Sequence, residues 1–413
     1  TRYFKLILIL GSLTALGPFS IDMYLPGFAG IAKDLNTTVA NVAMTLSSYF
    51  IGISAGQLLY GPLLDRYGRK KPLFIGLLVY ILASLCCAFV TDIDTFIGLR
   101  FIQAVGSCAA AVASVSMVRD LFPVRDIPKV FSLLMLVVGL SPMLAPTVGG
   151  YVTDAYGWHM VFLILMGIGI VILIASHFGL PNSYQPDGSI ALKPRPILLN
   201  FAKVLKEPQF YTYAFTGSIA FSGLFTYVAA SPLIFMDIFK VDPKTYGWIF
   251  AFMSLSFICA SQLNSVLLRW FSSEKMIFGA LVTQCIVVIL FLITAMNDLL
   301  GLYETIGFLF IFLACLGISN PNTAGLTLAP FSKNAGSASA LMGAIQLGLG
   351  AFASFAVGLF VKNSIVPMVV IMAVSTIVAF LVFNVGKRTI PKIKFWKDFF
   401  MFIKQFITSF FVF

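Results

Sequence analysis

Twelve stretches of this chain run for twenty or more residues with almost no charge, and that repetition restricts the fold more than any other feature. The runs fall at 6–32, 35–64, 72–91, 95–118, 130–153 and 158–181, then at 208–236, 245–268, 276–297, 305–331, 334–361 and 364–386. A helix rises about 1.5 Å per residue, so each run is long enough to cross a hydrocarbon layer of about 30 Å. Only 10% of the residues are charged, against about 25% in a soluble domain, and mean hydropathy is +0.98. In lipid the backbone must satisfy its own hydrogen bonds, so the expected fold is an all-α membrane protein of twelve helices. The first run is too long, and lacks the small-residue cleavage site, to be a removable signal peptide, and is read as a retained span.

Basic residues set the expected orientation. Of the 27 Lys and Arg, 22 fall on one side if the runs cross alternately, and only Lys33, Lys240, Lys244 and Lys362 fall on the other. The positive-inside rule then places both termini in the cytoplasm. That clustering beside spans, rather than nucleic-acid binding, accounts for the net charge of +11. The longest polar stretch divides the runs six and six. The expected organisation is an N-terminal six-helix bundle at 1–181, a cytoplasmic linker at 182–207 and a C-terminal six-helix bundle at 208–388. A weak echo between "GQLLYGPLLDRYGRKK" (56–71) and "SQLNSVLLRWFSSEKM" (261–276) fits two related halves around a central site. Residues 389–413 are aromatic with a polar stripe at near-helical spacing, as expected of an amphipathic tail at the cytoplasmic face.

Cys86, Cys87, Cys108, Cys259, Cys285 and Cys315 all lie in apolar runs without metal-ligand spacing, so neither disulfides nor a metal site is expected. The chain has no HExxH, P-loop or nucleophile elbow, and His159 and His177 are isolated. An enzyme is not expected, nor a cofactor, and without an ATP site the energy for any transport must come from an ion gradient.

"GPLLDRYGRKKPLF" (61–74) puts an acid, four bases and two glycines into the turn after the second run. Anchoring would need only Arg69, Lys70 and Lys71. Asp65 gains nothing from that rule, but an acid at the membrane edge can meet a helix N-terminus or an Arg and hold one arrangement of helices. Gly61, Asp65, Arg66, Gly68, Arg69 and Lys70 resemble the loop 2–3 signature of the major facilitator superfamily. "LRFIQAVGSCAAA" (99–111) resembles the span-four motif of its proton-driven drug antiporters. "GLSPMLAPTVGG" (139–150) resembles their span-five motif, with Ala145 where many members have Gly. "SIDMYLP" (20–26) and "NPNTAGLTLAPFSKNAGSASALMGAIQ" (320–346) are similar to the bicyclomycin and chloramphenicol resistance branch. The resemblance covers the chain to about residue 388. It implies two six-helix bundles in a bacterial inner membrane, and a switch in which Arg69 and Asp120 take part.

Asp22 is the only charged side chain between Leu6 and Ala32, and Arg100 the only one in the fourth run. A charge at mid-membrane costs about 2.5–3.5 kcal/mol even on lenient scales, so each needs a reason. Arg100 cannot lose its proton, and Asp22 is the carboxylate expected to approach it in some conformations. If access changes their distance, Asp22 gains and loses a proton in step with it; a static buried pair is the alternative. Asp237, near the outer end of the seventh run, is the reserve carboxylate. In the fifth run Gly139, Pro142, Pro146, Gly149 and Gly150 permit kinking and close packing, either as a moving seal or as ordinary small-residue contact. Candidate substrate-binding residues are Tyr24, Tyr49, Gln103, Tyr227, Gln262, Asn264, Asn320, Asn322 and Gln346, polar groups at membrane depth that need a partner or a wet cavity.

The function expected from these features is proton-coupled export of small amphipathic drugs or metabolites by a monomer whose partners are protons, substrate and lipid. A proton-coupled importer on the same scaffold is the main rival, and a non-transporting scaffold, which would have no use for Asp22, is the remote one.

Overall fold

A computed structural model of the chain describes residues 2–123, 127–181, 194–331, 335–359 and 364–410, and every regular element among them is helical. The first span is α1 (Arg2–Asp22), a single 3-10 turn (Leu25–Gly27) and α2 (Phe28–Asp34). Then follow α3 (Val39–Tyr67), α4 (Lys70–Ala88), α5 (Ile93–Leu121), α6 (Ile127–Tyr156) and α7 (Trp158–Gly179). The second series is α9 (Pro208–Pro232, extended by a π-helical turn Leu233–Ile238), α10 (Pro243–Leu267), α11 (Ser273–Met296), α12 (Leu302–Leu328), α13 (Ala335–Leu359) and α14 (Val366–Phe410). Between the series lies α8 (Pro194–Leu205). Twelve of the helical spans are long and apolar enough to cross a membrane.

The boundaries have local chemical causes. Thr38, Asp92, Asp242 and Ser272 accept backbone N–H groups at the starts of α3, α5, α10 and α11. Hydrogen bonds from Thr95 and Thr245 hold the Asp92 and Asp242 carboxyls below the ordinary carboxylate range. Gly68 and Gly157 take φ of 82° and 81° at the tight turns before α4 and α7, where a side chain would be strained. These short turns leave consecutive helices antiparallel.

The helices pack as two groups. In the first, α3 lies on α5, α4 on α5 and α7, and α1 on α5, α6 and α7. In the second, α9 lies on α12, α13 and α14, α12 on α10 and α11, and α11 on α14. Two main seams join the groups, α3 against α13 and α6 against α10. Phe50 meets Phe225 edge-on at 4.5 Å between ring centroids, and the Ser54 hydroxyl donates to the Ala344 carbonyl at 3.1 Å.

Two details differ from the sequence expectation. The signature after the second run is mostly helix: Gly61, Asp65 and Arg66 lie in the last turns of α3, and only Gly68 and Arg69 separate α3 from α4. The stretch read as a polar linker contains α8, whose Val204 is buried in a small apolar cluster with Phe210, Ala214 and Ala338. α14 continues past the twelfth span into the tail as far as Phe410; the side chains of 391–410 lie outside the described residues.

Candidate functional site

α5 carries Arg100 into the middle of the first helix group, where it is fully buried. Its Nη2 donates to the Ser20 carbonyl at 2.9 Å and its Nη1 to Gln103 Oε1; Nε has no partner among the described residues. The guanidinium lies over the rings of Tyr24 at 4.2 Å and Tyr49 at 4.3 Å, with Phe162 at 5.7 Å. Each aromatic face presents negative charge density to the cation, worth about 2 kcal/mol once water is excluded. A second ring of hydrogen bonds fixes these partners. Gln103 donates to Ser84 at 2.8 Å, Tyr80 joins Ser20 at 2.7 Å, Tyr24 joins Thr45 at 2.9 Å, and Tyr49 joins Ser107 at 2.8 Å. Among the described residues the permanent charge is thus met by dipoles and π faces, with Nε left over.

Asp22 does not pair with Arg100 in this conformation, so the static buried pair is not what the structure holds, and an approach of the two belongs to another conformation if it occurs. It stands at the end of α1, 5% exposed, and its carboxyl makes no hydrogen bond or ion pair to any described residue. Its electrostatic neighbours across the seam are Tyr227 on α9 and Tyr246 on α10. The Tyr246 hydroxyl is engaged with Ser231 at 2.8 Å. The Tyr227 hydroxyl is buried without a hydrogen-bond partner among the described residues, its ring stacked on Phe250 at 5.4 Å. An unshared carboxylate and an unshared phenol from opposite groups occupy one electrostatic neighbourhood.

The other candidates separate into distinct settings. Tyr24, Tyr49 and Gln103 are committed to Arg100. Asn322 donates to Asn264 at 2.6 Å and Gln346 to Asn320 at 3.2 Å, ties among α10, α12 and α13. Gln262 is exposed on α10, apart from these groups. Asp237 is partly exposed in the π-helical turn after α9. Sequence reasoning missed Ser20, Tyr80, Ser84, Phe162 and Tyr246. Only Ser20 had a local signal, two residues from Asp22.

At the opposite end of the bundle, Arg69 Nε donates to Asp120 at 2.8 Å, with both side chains largely buried. This ties the start of α4 to the end of α5. Lys70 reaches the His177 carbonyl at 3.4 Å, and Arg66 lies 5.6 Å over the Tyr67 ring. Gly61 has open space where a Cβ would stand. The Asp65 side chain lies outside the described residues.

α6 meets α10 backbone to backbone. Pro142 and Pro146 lie inside α6. A Cβ on Gly150 would strike the Pro243 carbonyl, and one on Gly149 the Met23 carbonyl. From the other side, a Cβ on Gly247 would lie 2.8 Å from both Pro146 O and Thr147 Cα. Gly139, two turns away from this contact, would meet nothing closer than Ile258 at 3.8 Å. Thr147 donates to the Gly247 carbonyl at 3.2 Å, and Lys244 pairs with Asp154 at 2.8 Å on the rim.

Comparison with known proteins places this arrangement. The sequence pattern of the Major Facilitator Superfamily matches residues 10–355. A "Bicyclomycin resistance protein homolog" of Haemophilus influenzae is 32% identical over 380 residues, covering 92% of this chain and 95% of that protein. The uncharacterized MFS-type transporter YdgK of Bacillus subtilis is 33% identical over 381 residues, covering 92% and 94%. A crystal structure of a D-xylose-proton symporter superposes with a TM-score of 0.73 at 13% identity, over 92% of this chain and 98% of that one; the likeness there is one of fold.

Proposed function

Because this chain belongs to the Major Facilitator Superfamily and is a multi-pass transporter of the bacterial inner membrane, we propose that it is a proton-coupled antiporter exporting small amphipathic drugs or metabolites by alternating access. The observation that carries the proposal is Asp22, a buried carboxylate with no cation of its own among the described residues. An ionised carboxylate in that setting is costly, so the site favours a proton. Arg100, which could have neutralised it, is held instead by Ser20, Gln103 and the rings of Tyr24 and Tyr49, and protonating Asp22 breaks no ion pair among the described residues. Part of its surroundings, Tyr227 and Tyr246, belongs to the opposite helix group. When the groups move apart, water reaches the carboxylate and favours the anion. One proton crossing 100 mV supplies about 2.3 kcal/mol, enough to bias export more than tenfold.

The direction and substrate class draw on the relative named for bicyclomycin resistance and on the basic residues, which favour a cytoplasmic N-terminus. In that orientation residues 182–207 form a cytoplasmic linker, and the Gly150–Pro243 seam with its Lys244–Asp154 pair closes the outward end. Tyr227 supplies an unshared hydroxyl to a substrate at the seam. The test is flux in proteoliposomes with an imposed pH gradient, across a drug panel including bicyclomycin and chloramphenicol. Antiport accumulates drug in acid-inside vesicles. Accumulation driven by acid outside would instead establish symport and overturn the proposal.

A further inference from the structure

Away from the seams, α10, α11 and α12 leave an open cleft of about 350 Å³. One wall is the face of α11 carrying Lys275, Gly279 and Thr283; the other is the face of α12 carrying Ala314 and Ile318, and Phe271 closes the end. Lys275 to Thr283 spans eight residues, about 12 Å along the helix. The cleft exists because Gly279 and Ala314 are too small to fill the space between the walls. Its lining is apolar apart from Thr283 and, at the end that opens beside the turn from α10 to α11, Lys275. There Lys275 is exposed, as are Arg269 and Trp270. Neither Lys275 nor Arg269 has an ion pair among the described residues. The neighbouring Glu274 is engaged elsewhere, accepting from Tyr213 at 3.0 Å and pairing with Lys387 at 3.3 Å. The first turn of α11 adds its positive dipole end at the same place.

We propose that this cleft binds one anionic phospholipid, an acyl chain lying along Gly279 and Ala314 and the phosphate resting on Lys275 and Arg269. The occupant follows from the setting. The cleft opens on the periphery of a bilayer-embedded bundle, its length matches a chain rather than a compact solute, and its cations lack anions at headgroup depth. With cytoplasmic termini the headgroup belongs to the inner leaflet; that placement rests on the proposed orientation, while the binding itself does not.

The experiment is native mass spectrometry of the full chain released from phosphatidylcholine nanodiscs containing a minor share of phosphatidylglycerol. The wild type is expected to retain one phosphatidylglycerol in preference to phosphatidylcholine. Lys275→Gln is expected to lower that retention about fivefold, as loss of one basic residue at a membrane surface does. Gly279→Leu fills the cleft and is expected to abolish retention of both lipids. A Cβ at Gly279 meets nothing within 4 Å, so the backbone there accepts a side chain; an unchanged melting temperature checks the fold. Equal retention of phosphatidylglycerol by wild type and Lys275→Gln, or retention surviving Gly279→Leu, overturns the proposal. The readout involves no transport, so its failure is distinct from failure of the antiport reading.

Discussion

Gly247→Ala probes the seam between α6 and α10 with the smallest possible addition. The new Cβ would stand 2.8 Å from Pro146 O and from Thr147 Cα, both backbone atoms that cannot rotate away. Carbon atoms pack comfortably at about 3.5–4.0 Å, so the helices must separate by about 1 Å at this level. Overpacking of this kind costs about 1–3 kcal/mol. Alanine also favours helix over glycine by about 1 kcal/mol, but α10 is helical whether the seam is open or closed, so that gain cancels. At about 1.4 kcal/mol per decade, the closed form loses about fivefold to 150-fold in population. Gly139→Ala is the matched control, because its Cβ meets Ile258 at an ordinary 3.8 Å. Nitroxide labels at Tyr156 and Lys240, both exposed beside the seam, read the separation by pulsed electron resonance in a cysteine-free background. Gly247→Ala is expected to shift the distribution to longer distances, and Gly139→Ala to leave it in place. If both variants match the wild type, the backbone contact does not set the closed state and the steric reasoning fails.

Asp22→Asn is expected to fold, to exchange substrate down its gradient and to lose accumulation driven by a pH gradient; wild-type accumulation in the variant would make the carboxylate structural. For Arg69 and Asp120, a double-mutant cycle on thermal melting is expected to show a coupling of about 2 kcal/mol, the range for a charged hydrogen bond out of water. A coupling near zero would mean that water already serves both groups. Ser189, outside the described residues, is expected to react with an impermeant thiol reagent, once changed to Cys, only after cells are opened; labelling of intact cells would reverse the orientation.

The spans were legible because lipid demands long apolar runs, a property of composition that survives without knowledge of packing. Asp22 and Arg100 were legible as exceptions to that demand. Their relationship was not. Two lone opposite charges invite pairing on paper, but the rotation of α5 turns Arg100 toward Tyr24 and Tyr49, and helix rotation is decided by contacts from several elements at once. Tyr80 and Ser84 were invisible for the same reason, since a Tyr or Ser in an apolar run looks the same whether it braces a cation or bonds its own helix. The polar composition of 182–207 concealed α8, whose Val204 is buried with Phe210, Ala214 and Ala338 by contacts that no local pattern announces. The Arg69–Asp120 contact was reached through family resemblance; fifty residues of intervening chain carry no local sign of it.

The residues that form the α6–α10 seam also decide how its closure responds to temperature. At its backbone contacts, Gly150, Gly247, Pro146 and Pro243 have no rotamers to lose, whereas Leu or Met there would give up about 0.5–2 kcal/mol of entropy for each one immobilised, a cost that falls only on Thr147 and the rim pair Lys244–Asp154. Bringing these backbones together therefore freezes little, and parting them releases little. Heating, which melts contacts that depend on ordering flexible groups, has small leverage on this one. The Gly150–Pro243 and Gly247–Pro146 contacts are therefore expected to hold about equally well over a wide thermal range.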